Sequence, residues 1–258
     1  MKKIFITLVV AAMATGTQAQ LCKSGLLNGY KEGEKLEKTT YSAKDDTPTM
    51  DNWAGAFASK PSDVESPVVG KALSYPGYPE GGLSIQLGTP DGVKGNRFSV
   101  YPIDDKKAYA KGVLYLACVV EMEKVASNSP IDLLGLSASA VSASNRSAIK
   151  VAKVGNDGIK FGTNLMKVPA ETEMVYDYDK PHLAVLKLDY NNQTASLFID
   201  PNPAEEPATP DAVAQGDDEN VLKHAIRSIS LRNRNGHKGN VGNIRLARTW
   251  NDLFASAE

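Results

Sequence analysis

Cysteine and histidine are scarce in this chain of 258 residues: there are two cysteines, Cys22 and Cys118, and three histidines, His182, His224 and His237. So few cysteines exclude a disulfide-dense scaffold. No histidine spacing matches a zinc-binding pattern, and no serine sits in a Gly-x-Ser-x-Gly turn, so neither a zinc centre nor an α/β-hydrolase nucleophile is encoded. Charge of one sign is missing too. The 29 Lys and Arg balance 30 Asp and Glu, for a formal net charge of -1, which removes the electrostatic footprint of a nucleic-acid or anionic-membrane binder. Beyond the first twenty residues no apolar run approaches the ~20 residues of a membrane-spanning helix. Helical periodicity is almost absent.

What is present begins with a targeting signal. Lys2 and Lys3 precede an apolar run from Ile4 to Ala14, and small and polar residues follow to Thr17-Gln18-Ala19. This pattern predicts a secretory signal peptide over residues 1–19 and a mature chain from Gln20, exported to the periplasm, the cell surface or the medium. Leu21 stands before Cys22 where lipidation requires a small residue, which argues against a lipid anchor. In an oxidising compartment Cys22 and Cys118 could form one bridge. Alternatively Cys118, set in the run GVLYLACVV, is a buried free thiol, and spacing does not decide between the two.

Most of the remaining chain reads as short strands. LSIQL, RFSVY, GVLYLACVVEM, SAIKVAKV, HLAVLKLDY, TASLFID, IRSISLR and VGNIRLAR are rich in β-branched and aromatic residues and bounded by Gly, Asn and Pro. Asn156-Asp157-Gly158 and Asn191-Asn192 mark hairpin turns, because these residues tolerate positive φ. Asn235-Gly236 in RNRNGHKGN, residues 232–240, is read the same way, as the turn of a basic hairpin. Thr249 and Asp252 frame a short C-terminal helical turn in TWNDLF. Strands and tight turns without crossover helices predict a single all-β domain over residues 20–258, an antiparallel sandwich of the jelly-roll kind. The stretch 200–220, proline-rich, acidic and free of Lys and Arg, reads as one long loop.

Six segments then carry a family resemblance by their order: LLNGYKEGEKLEK, DNWAGAF with its tryptophan, KALSYPGYPEGG, GVLYLACVVEM, KPHLAVLKLDYNNQTASLFIDPNP and VGNIRLARTWNDLF. The chain resembles the secreted bacterial concanavalin A-like, laminin G-like jelly-roll domains over nearly its whole mature length. The resemblance implies two curved antiparallel sheets packed face to face, core or end-capping roles for Trp53 and Trp250, and frequent binding of carbohydrate or of envelope and matrix ligands. It brings no catalytic residues with it. The superfamily also contains endoglucanases with a Glu-x-Asp-x-x-Glu strand motif, in which residues two apart share a face and flank one glycosidic bond. Here Glu171-Thr172-Glu173 leads to Tyr176, and Glu121 and Glu123 lead to Ala126, so the motif is not supplied. No cofactor is expected except a structural calcium ion of the kind laminin G-like domains often hold, for which Asp177, Asp179 and Asp200 are the candidate ligands.

For ligand contact, the alternation of Leu73 and Tyr75 puts Tyr75 toward the core and leaves Tyr78, at the Pro-Gly turn, exposed for stacking on a sugar ring. Arg232, Arg234 and Lys238, in a segment from Lys223 to Arg248 that has no acidic residue, are candidate contacts for an anionic polysaccharide. The bland alternative is a solvated basic face neutralised in part by the acidic loop. The function expected is an exported, non-catalytic recognition protein for an extracellular glycan. A protein-binding adhesion or envelope-assembly module, with an envelope protein as partner, is the alternative, and a diverged glycan hydrolase is the third.

Overall fold

The computed structural model describes residues 21–57, 64–79, 81–103, 109–156 and 158–255; the expected signal peptide lies outside them. In chain order the strands are β1 (Leu21–Lys23), β2 (Thr39–Thr40), β3 (Ala54–Gly55), β4 (Val68–Leu73), β5 (Gly82–Leu87), β6 (Asn96–Pro102), β7 (Val113–Lys124), β8 (Ile131–Ser137) and β9 (Asn145–Val154). There follow β10 (Gly158–Leu165), β11 (Val168–Glu171), β12 (Tyr176–Asp177), β13 (Pro181–Asp189), β14 (Thr194–Ile199), β15 (Ala212–Gln215), β16 (Ser228–Arg234), β17 (Lys238–Ala247) and the helix α1 (Trp250–Phe254).

They form the expected sandwich. The first sheet runs β15-β14-β13-β7-β17-β5-β4, with β1 added beside β17; the second runs β11-β10-β9-β8-β16-β6-β3-β2, with β12 beside β10. Among the described residues every strand pairing is antiparallel except the short one between β2 and β3. The predicted hairpins join β9 to β10 and β13 to β14.

The core explains why the central strand reads as an unbroken apolar run. On β7, Leu114, Leu116, Cys118, Val120 and Met122 belong to the layer between the sheets, while Tyr115, Ala117 and Val119 belong to a second layer on the outer face. A strand buried on both faces loses the polar alternation that one wet face imposes. The outer layer is closed by α1, whose Trp250 and Leu253 are buried, and whose N-terminus is capped by the Thr249 hydroxyl accepting from Asp252 N at 3.3 Å. Trp250 Nε1 donates to Pro203 O, which draws the acidic segment onto the same lid. Trp53 is fully buried at the other end of the chain, donating to Leu26 O at 3.2 Å and lying 5.4 Å from the Tyr101 ring.

Of the two readings left open for Cys118, the structure bears out the second: it is a free, fully buried thiol, and burial pushes its pKa well up. Two expectations change. Residues 200–220 are not one loop: β15 within them pairs with β14 and buries Ala212 and Ala214 in the core. Residues 232–240 are not a hairpin either. β16 pairs with β6 and β8 in the second sheet, whereas β17 pairs with β5 and β7 in the first, so the turn at Asn235-Gly236 carries the chain across the sandwich.

Where β17 starts, the register slips between Lys238 and Gly239. Gly239 has φ +152°, and a Cβ there would lie 2.4 Å from Glu121 O and 2.8 Å from Met122 Cα. Both obstacles are backbone, which cannot step aside as a side chain can. Gly239→Ala is therefore expected to lower the unfolding free energy by more than ~1 kcal/mol. Urea denaturation followed by circular dichroism measures this, and a change within about 0.5 kcal/mol, the scatter of a neutral surface substitution, contradicts it.

Candidate functional site

At one end of the sandwich two segments cross between the sheets side by side: residues 88–95, from β5 to β6, and residues 235–237, from β16 to β17. Side-chain amides staple them together. Asn233 Oδ1 accepts from Gly88 N at 2.8 Å, and its Nδ2 donates to Gly88 O at 3.1 Å. Asn235 Oδ1 accepts from Gly95 N at 3.2 Å, and Asn235 N donates to Gly95 O at 3.1 Å. Gly88 adopts φ +123°, and a Cβ there would lie 2.9 Å from His237 O, so only glycine lets the two segments approach this closely.

Between these crossings and the chain entering β4 lies a cleft of about 480 Å³. Its walls carry the side chains of Glu65, Gln86, Asp91, Lys124, Lys238, Asn233 and Asn235, and the glycine-rich backbone of the β5–β6 crossing. Positive and negative groups alternate rather than segregate: Glu65 pairs with Lys35 at 3.0 Å and Lys238 with Glu123 at 2.5 Å. His237 also lines the cleft, is only 7% exposed, and has no partner for either ring nitrogen. Burial, reinforced by the positive charges of Arg234 and Arg232, holds its pKa down to about 4, so the ring is neutral near pH 7. A neutral imidazole offers one donor and one acceptor, and here both are desolvated and unused.

The residues singled out from sequence are dispersed. Tyr78 is buried, not exposed: the turn returns its N–H to Tyr75 O at 3.0 Å, and its ring packs edge-on against Phe254 at 5.6 Å within the outer layer. Tyr75 is the half-exposed ring instead, its phenol pushed up to about 12 by burial and by the Asp200 carboxylate. The polypeptide buries whichever ring reaches α1, and strand alternation stops at the turn, so the period-two reading assigned the pair the wrong way round. Arg232 and Lys238 do not make one basic face, because they belong to different sheets. Arg232 is half-buried with its guanidinium 5.1 Å over Phe98, Arg234 is half-buried near it in sequence, and Lys238 alone is exposed, bound to Glu123. Arg245, from the same basic segment, is buried under α1. In the acidic segment, Glu206 binds Lys187 at 2.6 Å and the Tyr115 hydroxyl at 2.8 Å rather than any of these arginines.

Asp200 and Asp177 do converge, but on a histidine. Asp200 Oδ2 lies 2.7 Å from His182 Nδ1 and its Oδ1 accepts from Leu183 N at 2.8 Å; the other ring nitrogen of His182 lies 3.1 Å from Asp177 O. The Asp177 carboxylate binds Lys180, and Asp179 holds a positive φ of +57° in the turn. No group of three His, Cys, Asp or Glu side chains able to hold a metal ion occurs among the described residues. Burial draws His182 down, but the bond and charge of Asp200 outweigh it and leave its pKa above the usual value. Glu121 and Glu123 each bind a lysine, Lys71 and Lys238.

Sequence reasoning missed His237 and Asn233. Nothing local marks them, since their burial follows from the chain changing sheets, and RNRNGHKGN has the composition of an ordinary hairpin turn.

No protein-family model matches the chain, and no curated protein matches it. Solved structures do. The T. cruzi calreticulin globular domain is similar over 78% of this chain and 86% of its own, with 11% identity and a TM-score of 0.50. A native heptameric SAP-like pentraxin from Limulus polyphemus is similar over 66% of this chain and 79% of its own, at 6% identity and a TM-score of 0.42. A mutant of Trypanosoma rangeli sialidase displaying trans-sialidase activity is similar over 79% of this chain but only 32% of that one, at 13% identity and a TM-score of 0.44. At such identities the likeness to calreticulin concerns the fold, a jelly-roll sandwich.

The two buried histidines give opposite pH dependences. His182, with its folded pKa raised above 6.5, adds stability that is fully present below the unfolded pKa and is lost as pH rises through the folded one. His237, folded pKa about 4, resists protonation, so stability is lost as pH falls from 6.5 towards 4. His182→Gln is expected to lower Tm by several degrees near pH 6 and by less above pH 8, whereas His237→Gln should flatten the decline on the acid side. Thermal unfolding of the three proteins between about pH 4 and 9 tests both signs; superimposable pH profiles refute the assignments.

Proposed function

We propose that the protein is an exported, non-catalytic recognition domain of the concanavalin A-like, laminin G-like kind, and that it holds a neutral, hydroxyl-rich ligand, a segment of extracellular glycan, in the cleft beside His237. The observation that carries this reading is the unused imidazole. Leaving a buried donor and acceptor unpaired costs about 1–3 kcal/mol each, a cost recovered by a ligand that supplies both partners. A sugar hydroxyl is donor and acceptor at once and matches a neutral ring. The cleft volume falls in the ~300–1,000 Å³ range of small-ligand sites. Its mixed charges favour an uncharged ligand, and the dispersal of Arg232, Arg234 and Lys238 removes the continuous basic strip that an anionic polysaccharide would want. The Asn233 and Asn235 staples hold both walls before the ligand arrives, which lowers the ordering cost of binding.

The test is a glycan array, followed by titration calorimetry of the best neutral and the best anionic oligosaccharide. Expected is binding of a neutral oligosaccharide that is insensitive to salt between ~50 and ~500 mM, weakened about tenfold or more by His237→Leu, and unchanged by the double variant Arg232→Ala/Arg234→Ala. Binding of anionic glycans alone, with steep salt dependence, overturns the choice of cleft and ligand. If no glycan binds at millimolar concentration, the recognition partner is a protein.

A further inference from the structure

A second polar group is stranded far from the cleft, inside the outer layer of the first sheet. Arg245 lies on β17 opposite Ala117 of β7, is 1% exposed, and is packed beneath α1. Its Nη1 donates to Leu253 O at the end of the helix. Its Nη2 is buried with no partner, and among the described residues the guanidinium forms no ion pair, not even with Asp252, the carboxylate of α1. The guanidinium carbon lies 5.9 Å from the centre of the Tyr78 ring, and the Tyr78 hydroxyl is likewise buried and without a partner.

A guanidinium buried between Ala117 of β7, the Tyr78 ring and the end of α1 requires compensation for its charge. One carbonyl of a five-residue helix supplies a partial charge, and the ring of Tyr78 supplies a quadrupole. Neither is a counter-ion. The two unused groups, Nη2–H and O–H, are both donors. They call for an acceptor, and the charge beside them calls for a negative one.

We propose that Arg245 and Tyr78 hold a small inorganic anion of the chloride class beneath α1, and that its binding fastens the C-terminal helix and the β4–β5 turn to the sheet. The anion accepts from Arg245 Nη2 and from the Tyr78 hydroxyl and neutralises the guanidinium. The site is separate from the cleft beside His237 and does not depend on the glycan reading.

The experiment uses the full chain at constant ionic strength, with chloride exchanged for gluconate, an anion too large for the layer. For the wild type, Tm is expected to rise by about 2–4 °C between ~1 and ~200 mM chloride. Tyr78→Phe should lose about half of this rise, and Arg245→Met, which keeps the apolar volume, should lose all of it. If Arg245→Met fails to fold, a crystal grown in bromide decides: anomalous density within about 3.5 Å of Nη2 supports the site. An equal Tm in chloride and gluconate, or a water molecule alone at Nη2 in the bromide crystal, overturns it.

Discussion

Burial of β7 on both faces is the constraint from which the rest of the molecule follows. Its inner row meets the opposite sheet, as in any sandwich, but its outer row of Tyr115, Ala117 and Val119 would lie open to water unless something covered it. Neighbouring strands cannot do this, because they extend the sheet sideways. The cover comes from α1 and from the turn between β4 and β5, and both are drawn inward by apolar area worth roughly 25 cal/mol per Å² removed from water. Phe198, Trp250 and Phe254 complete the lid through edge and tilted ring contacts between 5.2 and 5.5 Å. The consequences are electrostatic as well as steric. The same closure that buries Trp250 takes Arg245 and the Tyr78 hydroxyl out of water.

The ends of the sandwich obey a different rule. Where chains cross from sheet to sheet, backbone N–H and C=O groups leave their ladders and must find other partners. At the cleft those partners are the amides of Asn233 and Asn235, each with an oxygen that accepts from the neighbouring crossing. This arrangement fixes the walls with one amide from β16 and one from the crossing just beyond it, and leaves His237 lining the space between them. At the edge beyond, Glu37 is nearly buried and accepts from Arg97 and from the Ser99 hydroxyl at 2.7 Å, which ties the N-terminal segment to β6. Other ion pairs, such as Lys35 with Glu65, are exposed and contribute little to stability. They do keep the cleft free of a dominant charge.

The closed outer layer and the cleft thus occupy different parts of one fold. The outer layer beneath α1 is apolar and closed, and the Arg245 guanidinium is buried against it. The cleft is open and lined by polar groups, among them the nearly buried ring of His237, which is neutral near pH 7. His182 forms a third polar point, joined to Asp200 at the end of β14 and surrounded edge-on by Phe161 and Tyr176 at 5.9 and 5.4 Å. There the histidine gains a carboxylate, and its pKa moves in the direction opposite to that of His237.

Fold class, the β9–β10 and β13–β14 hairpins and the capped helix were legible in the amino-acid order, because alternation, turn residues and caps act over a few neighbouring positions. The site was not legible. RNRNGHKGN has the local chemistry of a hairpin, and only the pairing of β16 and β17 with different sheets makes it a crossing, separates Arg232 from Lys238 and buries His237. In the same way, local alternation pointed Tyr75 inward, while the distant α1 captured Tyr78. Local sequence determines which residues turn and which extend. Which of them lose contact with water depends on segments far away along the chain, and only the tertiary structure brings those together.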